Sequence, residues 1–120
     1  MHILVVDDDP SILELMETLI QFSTDHTAET TSCVADAIDL LARPKAKRFD
    51  CFLVDIQMPG TDGIELCKIL RNRSESKRSL IMMLTAMSEK SYLDQAFMAG
   101  ADDYITKPFN IGDLRERLGR

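Results

Sequence analysis

The fold is constrained most by an alternation, repeated five times along the chain, between a short apolar run and an amphipathic stretch. The apolar runs contain no regular polar positions, which indicates strands that are covered on both faces of a sheet. The predicted strands are residues 3–6, 51–54, 80–84 and 104–106, with a weak strand at about 26–30. Because a helix is predicted after each strand, we expect an α/β fold: a (βα)5 chain with a doubly wound parallel sheet in the order 2-1-3-4-5.

Residues typical of helix ends mark where the predicted helices begin and end. The predicted caps are Asp9 before Pro10, Ser32, Asp62 with Glu65, and Gly100. The fourth helix is expected to begin near Ser88, and the last to run from about Asn110 to Leu118. Since 120 residues fill one such domain, we expect a single domain over residues 1–120, either complete or the N-terminal part of a longer protein.

Composition disfavours several classes of function. The net charge of −6 weighs against nucleic-acid binding by this domain, because phosphate contacts need a concentrated basic surface. The apolar runs are far shorter than the roughly 20 residues of a membrane span, so no membrane insertion is expected. Cys33, Cys51 and Cys67 are too widely spaced for a metal motif. We interpret them as reduced thiols of a cytoplasmic protein.

Three carboxylates are predicted to meet at one edge of the sheet. Asp7 and Asp8 close the first strand, and Asp55 closes the third. The carboxyl ends of these strands are neighbours at the switch point of the predicted sheet. Two carboxylates about 4 Å apart repel by roughly 4 kcal/mol at an effective dielectric near 20, so the cluster needs a cation. An all-oxygen site favours a hard divalent ion, Mg²⁺ or Mn²⁺.

Two further polar side chains follow the other strands. Thr85 ends the fourth strand and Lys107 the fifth, which adds a hydroxyl and an ammonium to the acidic edge. A carboxylate nucleophile, a divalent ion, a hydrogen-bond donor and a fixed positive charge are what phosphoryl transfer requires. Each residue alone has an ordinary explanation, and Asp9 is expected to be only a helix cap. Their coincidence at four strand ends favours a phosphoryl-transfer site.

Four motifs, in this order, closely resemble the receiver domain of two-component response regulators. They are VVDDDP at residues 5–10, DIQMPGTDG at 55–63, LTA at 84–86 and GADDYITKPF at 100–109. The resemblance covers nearly the whole chain and implies a flavodoxin-like fold. It also implies a signalling phospho-acceptor rather than an enzyme with a separate substrate. The phosphoryl donor would be a sensor histidine kinase or a histidine phosphotransfer protein.

By this resemblance, each site residue has an expected role. Asp55 is expected to be phosphorylated. Asp8, Asp55 and the backbone carbonyl of Gln57 are expected to bind Mg²⁺, with Asp7 acting largely through a metal-bound water. Thr85 is expected to move toward the phosphoryl group and Lys107 to pair with it.

The resemblance also implies a route to the output surface. Lys107 and Pro108 are expected to be joined by a cis peptide. Tyr104 is expected to be an aromatic switch that turns inward when Thr85 moves. Helix four, strand five and helix five would form the surface that meets a downstream effector, an output domain of the same protein, or a second copy.

Some residues distinguish this chain from the family pattern. Gln57 and Met87 occupy positions that tune phosphoryl lifetime, and neither readily activates water, so we expect slow self-hydrolysis. Asp103 and Arg117 are candidates for ion pairs across a dimer, although Leu93 is apolar where a basic partner is expected. Basic side chains are concentrated in two connectors, and we interpret these as solvated loops rather than a partner-binding patch. The basic residues are Arg43, Lys45, Lys47, Arg48, Arg71, Arg73, Lys77 and Arg78.

Three other classes of protein share part of the pattern. A hydrolase of the haloacid dehalogenase type would have a second acid two residues after Asp55, where Gln57 stands instead. A flavodoxin-like cofactor binder would not carry three acids in its first loop. A phosphorylation-independent pseudo-receiver, acting only as a protein-binding module, usually lacks one of the acids, the threonine or the lysine, and all are present here.

Overall fold

The computed structural model describes residues 1–43, 48–56, 58, 62–86 and 90–119, with Lys90 described by its backbone alone. Strands and helices alternate along these residues. The elements are β1 His2–Val6, α1 Pro10–Ser23, β2 Thr27–Thr31, α2 Val34–Ala42, β3 Cys51–Asp55, α3 Gly63–Arg71, β4 Leu80–Ala86, α4 Lys90–Ala99, β5 Asp103–Lys107 and α5 Ile111–Leu118. None of the helices in these residues is long and apolar enough to cross a membrane.

The five strands form one parallel sheet in the order β2-β1-β3-β4-β5, which confirms the predicted topology. The pairing register aligns the ends that carry the candidate site. Val6 pairs with Val54, so the residues that follow, Asp7 and Asp55, leave neighbouring strands at the same level. Thr85 pairs with Thr106 one residue before Lys107. The register therefore brings the ends of four strands to one edge.

The three central strands, β1, β3 and β4, are buried on both faces of the sheet, which explains their continuous apolar runs. In β1, Leu4 and Val6 pack into the core beneath α2, α3 and α4, whereas Ile3 and Val5 pack into the core beneath α1 and α5. All four side chains are fully buried. Burying an aliphatic side chain of this size stabilises the fold by about 1.5–3 kcal/mol. The two cores thus hold the strands whose ends form the site.

The helix caps agree with the sequence at three positions and differ at one. Asp9 Oδ1 accepts from the Ser11 amide at 2.9 Å, and Asp62 Oδ1 accepts from the Glu65 amide at 3.0 Å. The prediction that Ser32 caps α2 is wrong, because the N-cap is Cys33, whose sulfur accepts from the Asp36 amide at 3.5 Å. The helix begins one residue later because Val34 must enter the core, where it is 3% exposed.

Helix α4 ends in a Schellman motif around Gly100. The glycine has a φ of +116°, a conformation that few other residues adopt. Its amide donates to the carbonyl of Phe97 at 3.1 Å, and the amide of Ala101 donates to that of Ala96 at 3.0 Å. This confirms the predicted helix end. The predicted start near Ser88 lies outside the described residues.

Candidate functional site

The three strand-end carboxylates meet at the edge of the sheet, as the sequence predicts. Asp7 follows β1 and is fully buried, Asp55 ends β3 and is 7% exposed, and Asp8 is open to solvent. One carboxylate oxygen of each residue lies within 4.8 Å of those of the other two. Among the described residues, this is the one cluster of three or more acidic, histidine or cysteine side chains close enough to hold a metal ion.

Asp7 is buried because both of its carboxylate oxygens have hydrogen-bond donors. Asp7 Oδ1 accepts from the Asp9 amide at 2.9 Å, and Oδ2 accepts from Lys107 Nζ at 2.9 Å. A buried charge without such partners would cost several kcal/mol. Asp9 therefore serves the site through its backbone, while its own side chain caps α1. The Ser11 hydroxyl and amide that bond this cap hold the pKa of Asp9 below its ordinary value.

Lys107 reaches the acidic cluster from the end of β5. Its ammonium lies 2.9 Å from Asp7 Oδ2 and 3.5 Å from Asp55 Oδ1. Partial burial by itself lowers the pKa of Lys107, but the hydrogen bond to Asp7 and the charges of Asp55 and Asp7 outweigh it. The net shift of the pKa is upward, so Lys107 stays protonated at neutral pH. The peptide bond from Lys107 to Pro108 is cis, as the resemblance implied.

The charges of the cluster do not balance without a cation. Three carboxylates face one ammonium, which leaves an excess of negative charge in a largely buried space. An all-oxygen donor set with one exposed member, Asp8, matches the preference of Mg²⁺ for carboxylates plus water. The residues present therefore fit a hard divalent ion. Gln57, whose carbonyl was expected to be a further ligand, lies outside the described residues.

Thr85 stands beside this cluster at the end of β4. Its side chain is almost fully buried, and its hydroxyl donates to the Ala86 carbonyl at 3.0 Å. Because Asp55 pairs with Leu84, Thr85 lies one residue beyond the level of Asp55 on the neighbouring strand. The hydroxyl is thus near the site, with its proton directed to the backbone.

Tyr104 lies apart from the acids, on the surface formed by α4, β5 and α5. Its ring meets the ring of Phe97 edge-on at 6.2 Å, and the guanidinium of Arg117 lies 5.4 Å from its centroid. Arg117 forms an ion pair with Asp103 of the same chain. The hydrogen bond to Asp103 is the main cause that raises the pKa of Arg117. This pair, expected across a dimer, is therefore present within one copy.

Gly63 is a site residue that the sequence analysis did not single out. A Cβ atom at this position would lie 1.9 Å from the carbonyl oxygen of Asp55. The Gly63 amide donates to the Ile56 carbonyl at 3.0 Å, so the start of α3 is fastened to the chain just after Asp55. A glycine as the first residue of an apolar helix was the available signal, because glycine lowers helix stability unless close approach requires it. Met87, which was expected to influence phosphoryl lifetime, lies outside the described residues.

Comparison with known proteins identifies the type of domain. A family model described as "Response regulator receiver domain" matches residues 3–119. Among curated proteins, the heme response regulator HssR of Staphylococcus aureus is 40% identical over 116 residues, which are 96% of this chain and 48% of HssR. The chain thus spans about half the length of the curated relatives it matches.

Solved structures of response regulators have the same fold. The chemotaxis protein CheY4 of Vibrio cholerae has a TM-score of 0.89 and 29% identity, covering 99% of this chain and 96% of CheY4. The response regulator DrrB, an OmpR/PhoB homologue from Thermotoga maritima, has a TM-score of 0.82 and 29% identity, covering 99% of this chain and 51% of DrrB. The fold is therefore found both in a chain of this length and as half of a longer regulator.

Proposed function

The chain belongs to the family of response regulator receiver domains of two-component systems, and on this premise we propose that Asp55 is its phosphoryl acceptor. The observation that carries the proposal is the position of Asp55, whose carboxylate stands at a strand end between an acidic cluster and the ammonium of Lys107. A carboxylate so placed has a cation-binding site on one side and a fixed positive charge on the other. Charge developing on a transferred phosphoryl group would meet both.

The proposed metal site consists of Asp8 and Asp55 as direct ligands, with the Gln57 carbonyl as a third and Asp7 acting through a water. Bound Mg²⁺ would supply charge neutralisation for the phosphoryl oxygens. The single exposed carboxylate, Asp8, gives an ion access from solvent. Asp7 is less available because Lys107 and the Asp9 amide occupy its oxygens.

The proposed reaction is an in-line transfer from a phosphohistidine. An Asp55 carboxylate oxygen attacks phosphorus and forms the new P–O bond, while the P–N bond to the donor imidazole breaks. The imidazole leaves with the electron pair and takes up a proton. Lys107 then pairs with a phosphoryl oxygen, and the Thr85 hydroxyl turns from the Ala86 carbonyl to donate to another.

The proposed output is a shift of the surface formed by α4, β5 and α5. Movement of Thr85 toward the phosphoryl group vacates space into which Tyr104 turns. Tyr104 now contacts Phe97 on α4 and Arg117 on α5. Rotation of its ring therefore changes contacts on both helices of the surface and biases an equilibrium between two forms. Helix α4 also carries Met98, which is 90% exposed and suits contact with a partner.

The proposed partners follow from the same premise. A cytoplasmic sensor histidine kinase or histidine phosphotransfer protein supplies the phosphoryl group. The relatives that are twice as long support the proposal that residues 1–120 act as the receiver of a longer regulator with an output domain. A homodimer through α4, β5 and α5 is the second proposed form of output, and the Asp103–Arg117 pair would then have to exchange between copies.

A phosphorylation-independent binding module is the alternative. It has no specific observation in its favour, because the three acids, Thr85 and Lys107 are all in place. The absence of a second acid at Gln57 likewise disfavours a phosphatase of the haloacid dehalogenase type.

The proposal is tested by the mass of the intact protein after incubation with acetyl phosphate, with and without Mg²⁺. We expect one phosphoryl adduct that requires Mg²⁺ and is absent in Asp55→Asn. Asp9→Asn is the matched control, since it removes a neighbouring carboxylate but keeps a good N-cap, and it should be phosphorylated normally. No adduct on the wild-type chain, or an adduct that persists in Asp55→Asn, would contradict the proposal.

A further inference from the structure

A second candidate site lies at the opposite end of the sheet from Asp55. The connectors that precede β3 and β4 enclose an open cavity of about 360 Å³. They are joined by a hydrogen bond from the Leu80 amide to the Asp50 carbonyl at 2.9 Å. Asp50, which lines the cavity, lies five residues before Asp55 on an extended chain, a distance of roughly 16 Å along the strand. The cavity is therefore distinct from the phosphorylation site.

The basic side chains that line the cavity lack direct partners among the described residues. Arg48, Lys77 and Arg78 are exposed lining residues. Within the part of the chain that the structure describes, none of these side chains forms a hydrogen bond or an ion pair. Their hydrogen-bond donors are therefore open to a ligand from solvent, although the charge of Arg48 also acts on the Glu75 carboxylate.

The carboxylates that line the cavity already have partners. Asp50 Oδ2 accepts from the His2 amide at 2.8 Å. Glu75 Oε2 lies 3.8 Å from Arg73, which is not among the lining residues. Its own amide, the Ser74 hydroxyl and the charges of Arg73 and Arg48 hold the pKa of Glu75 below its ordinary value. The cavity therefore presents a net positive charge to a ligand.

The walls of the cavity are held in place by internal hydrogen bonds. The Arg71 guanidinium donates to the carbonyls of Lys77 at 3.1 Å and Ser79 at 2.6 Å. The Ser79 hydroxyl donates to the Phe49 carbonyl at 2.8 Å, and the buried Ser76 hydroxyl donates to the Leu70 carbonyl at 2.7 Å. A connector held at this many points loses little conformational freedom on binding.

The charge of this region is opposite to that of the whole molecule. Residues 48–50 and 71–79 contain five of the 14 basic residues but two of the 20 acidic residues, in a chain of net charge −6. The acidic cluster stands at the other end of the sheet. A local positive field on an acidic domain attracts an anionic partner to one end and repels it from the rest of the surface.

We propose that this cavity is a docking site for a short acidic segment of a partner protein, whose Asp and Glu side chains pair with Arg48, Lys77 and Arg78. The mixed lining favours a peptide over a nucleic acid. A phosphate backbone needs a concentrated basic surface, whereas the two carboxylates of this cavity, Asp50 and Glu75, interrupt its basic lining. In an extended peptide, every second side chain points to the same face, and these side chains lie about 6.5–7 Å apart. Acidic side chains can therefore face the cavity while neutral side chains face away from it. The proposal takes up the partner-binding patch that the sequence analysis weighed against solvated loops.

The test is a titration of the ¹⁵N-labelled chain with hexaglutamate, capped at both ends, at about 50 mM salt. We expect amide shifts confined to residues 48–50 and 74–79, and loss of binding near 1 M salt, where charges are screened within about 3 Å. The triple variant Arg48→Glu/Lys77→Glu/Arg78→Glu should bind at least about tenfold more weakly, since three attractive charges become repulsive. Lys68→Glu, a charge reversal on exposed α3 surface, should change the affinity less than about twofold.

Three outcomes would overturn the proposal. One is the absence of localised shifts at millimolar peptide, and another is equal binding by the triple variant in a folded state with a dispersed spectrum. The third is tighter binding of a thymidine oligonucleotide with six phosphates at the same residues, which would assign the site to nucleic acid. Asp55→Asn should bind hexaglutamate like the wild type, so failure of this site and failure of the phosphoryl-acceptor proposal give different results.

Discussion

Lys107 Nζ lies 2.9 Å from Asp7 Oδ2, so a residue at the end of the last strand neutralises a fully buried carboxylate that follows the first strand. The same ammonium lies 3.5 Å from Asp55. The contact with Asp7 therefore determines where Lys107 stands when Asp55 is unmodified. Phosphorylation of Asp55 would draw the ammonium from one carboxylate toward a more highly charged group.

Removal of the Lys107 ammonium should destabilise the chain in the absence of a divalent ion. Lys107→Met leaves Asp7 buried without its charged partner, and we expect the free energy of unfolding to fall by about 2–3 kcal/mol. Magnesium should restore part of the loss, because a cation in the cluster replaces the missing charge. Urea unfolding with and without about 10 mM Mg²⁺ measures both the loss of stability and its partial restoration. An equal loss in both conditions would contradict this role of the cluster.

The contribution of the Asp7–Lys107 pair should disappear at high pH. The pKa of Lys107 is raised in the folded chain above its ordinary value of 10.5. The stabilisation is therefore complete below pH 10.5 and is lost as the pH rises through the folded-state pKa. The difference in unfolding free energy between the wild type and Lys107→Met, measured from pH 8 upward, should stay constant at first and then shrink. A difference that grows with pH would contradict the shift.

Asp8 should contribute to metal binding and should destabilise the metal-free chain. It is the exposed member of the cluster, and its removal relieves repulsion with Asp7 and Asp55. We expect Asp8→Asn to weaken Mg²⁺ binding by at least about tenfold and to raise the stability of the metal-free chain by about 1 kcal/mol. Calorimetric titration with Mg²⁺ and urea unfolding are the measurements. Asp9→Asn is the control. It should change the Mg²⁺ affinity by less than about twofold and the free energy of unfolding by less than about 0.5 kcal/mol.

A side chain at Gly63 should disturb Asp55 directly. Since a Cβ atom would lie 1.9 Å from the Asp55 carbonyl oxygen, Gly63→Ala must shift the backbone of the acceptor or the start of α3. We expect a loss of about 1–3 kcal/mol of stability and slower phosphorylation by acetyl phosphate. Gly112→Ala is the matched control on α5, where the nearest atom is a side-chain oxygen at 3.1 Å. Its stability should change by less than about 1 kcal/mol.

Arg117 should influence the output surface without affecting phosphorylation. Arg117→Ala removes the ion pair with Asp103 and the contact with the Tyr104 ring. We expect the NMR resonances of Tyr104 and Phe97 to move, while the rate of adduct formation at Asp55 stays within about twofold, because neither contact reaches the acidic cluster. Asp113→Ala, elsewhere on α5, is the control for nonspecific helix effects. Unmoved Tyr104 resonances would contradict the role of Arg117.

The cysteines should differ in reactivity according to burial. Loss of solvation raises the pKa of Cys51 to about 12 and that of Cys67 to about 11, so both remain thiols at pH 8. Cys33 is partly exposed at the start of α2. Iodoacetamide followed by peptide mass analysis should therefore modify Cys33 first. Modification of Cys51 at an equal rate in the folded chain would contradict the burial.

The fold and the meeting of the strand-end acids with Lys107 were accessible from the sequence. Apolar runs without alternation predicted strands buried on both faces, and five strands, including the weak second one, each followed by a helix, predicted the order of the sheet. Asp7, Asp55 and Lys107 were identified because strand ends in a parallel sheet meet at one edge. These features depend on patterns within a few residues and on general rules of topology, so they could be read without coordinates.

Other features depend on contacts between distant residues. The sequence did not reveal that Asp7 would be fully buried and Asp8 exposed, that Arg117 would pair with Asp103 within one copy, or that Cys33 would replace Ser32 as a cap. The local sequence does not distinguish between the alternatives in any of these three cases. The choice depends on which side chain the core accepts and on what stands across the sheet, up to 100 positions away in the case of Asp7 and Lys107.

The sequence by itself therefore determined the type of fold and the edge that carries the acids. The tertiary structure alone decided the exposure of each acid, the partner of each charge, the close approach of Gly63 to Asp55 and the basic cavity at the far end of the sheet. The physical reason is that hydrophobic periodicity and strand-end position are local properties of the chain. Burial, pairing and cavity shape arise only when elements distant in sequence pack together.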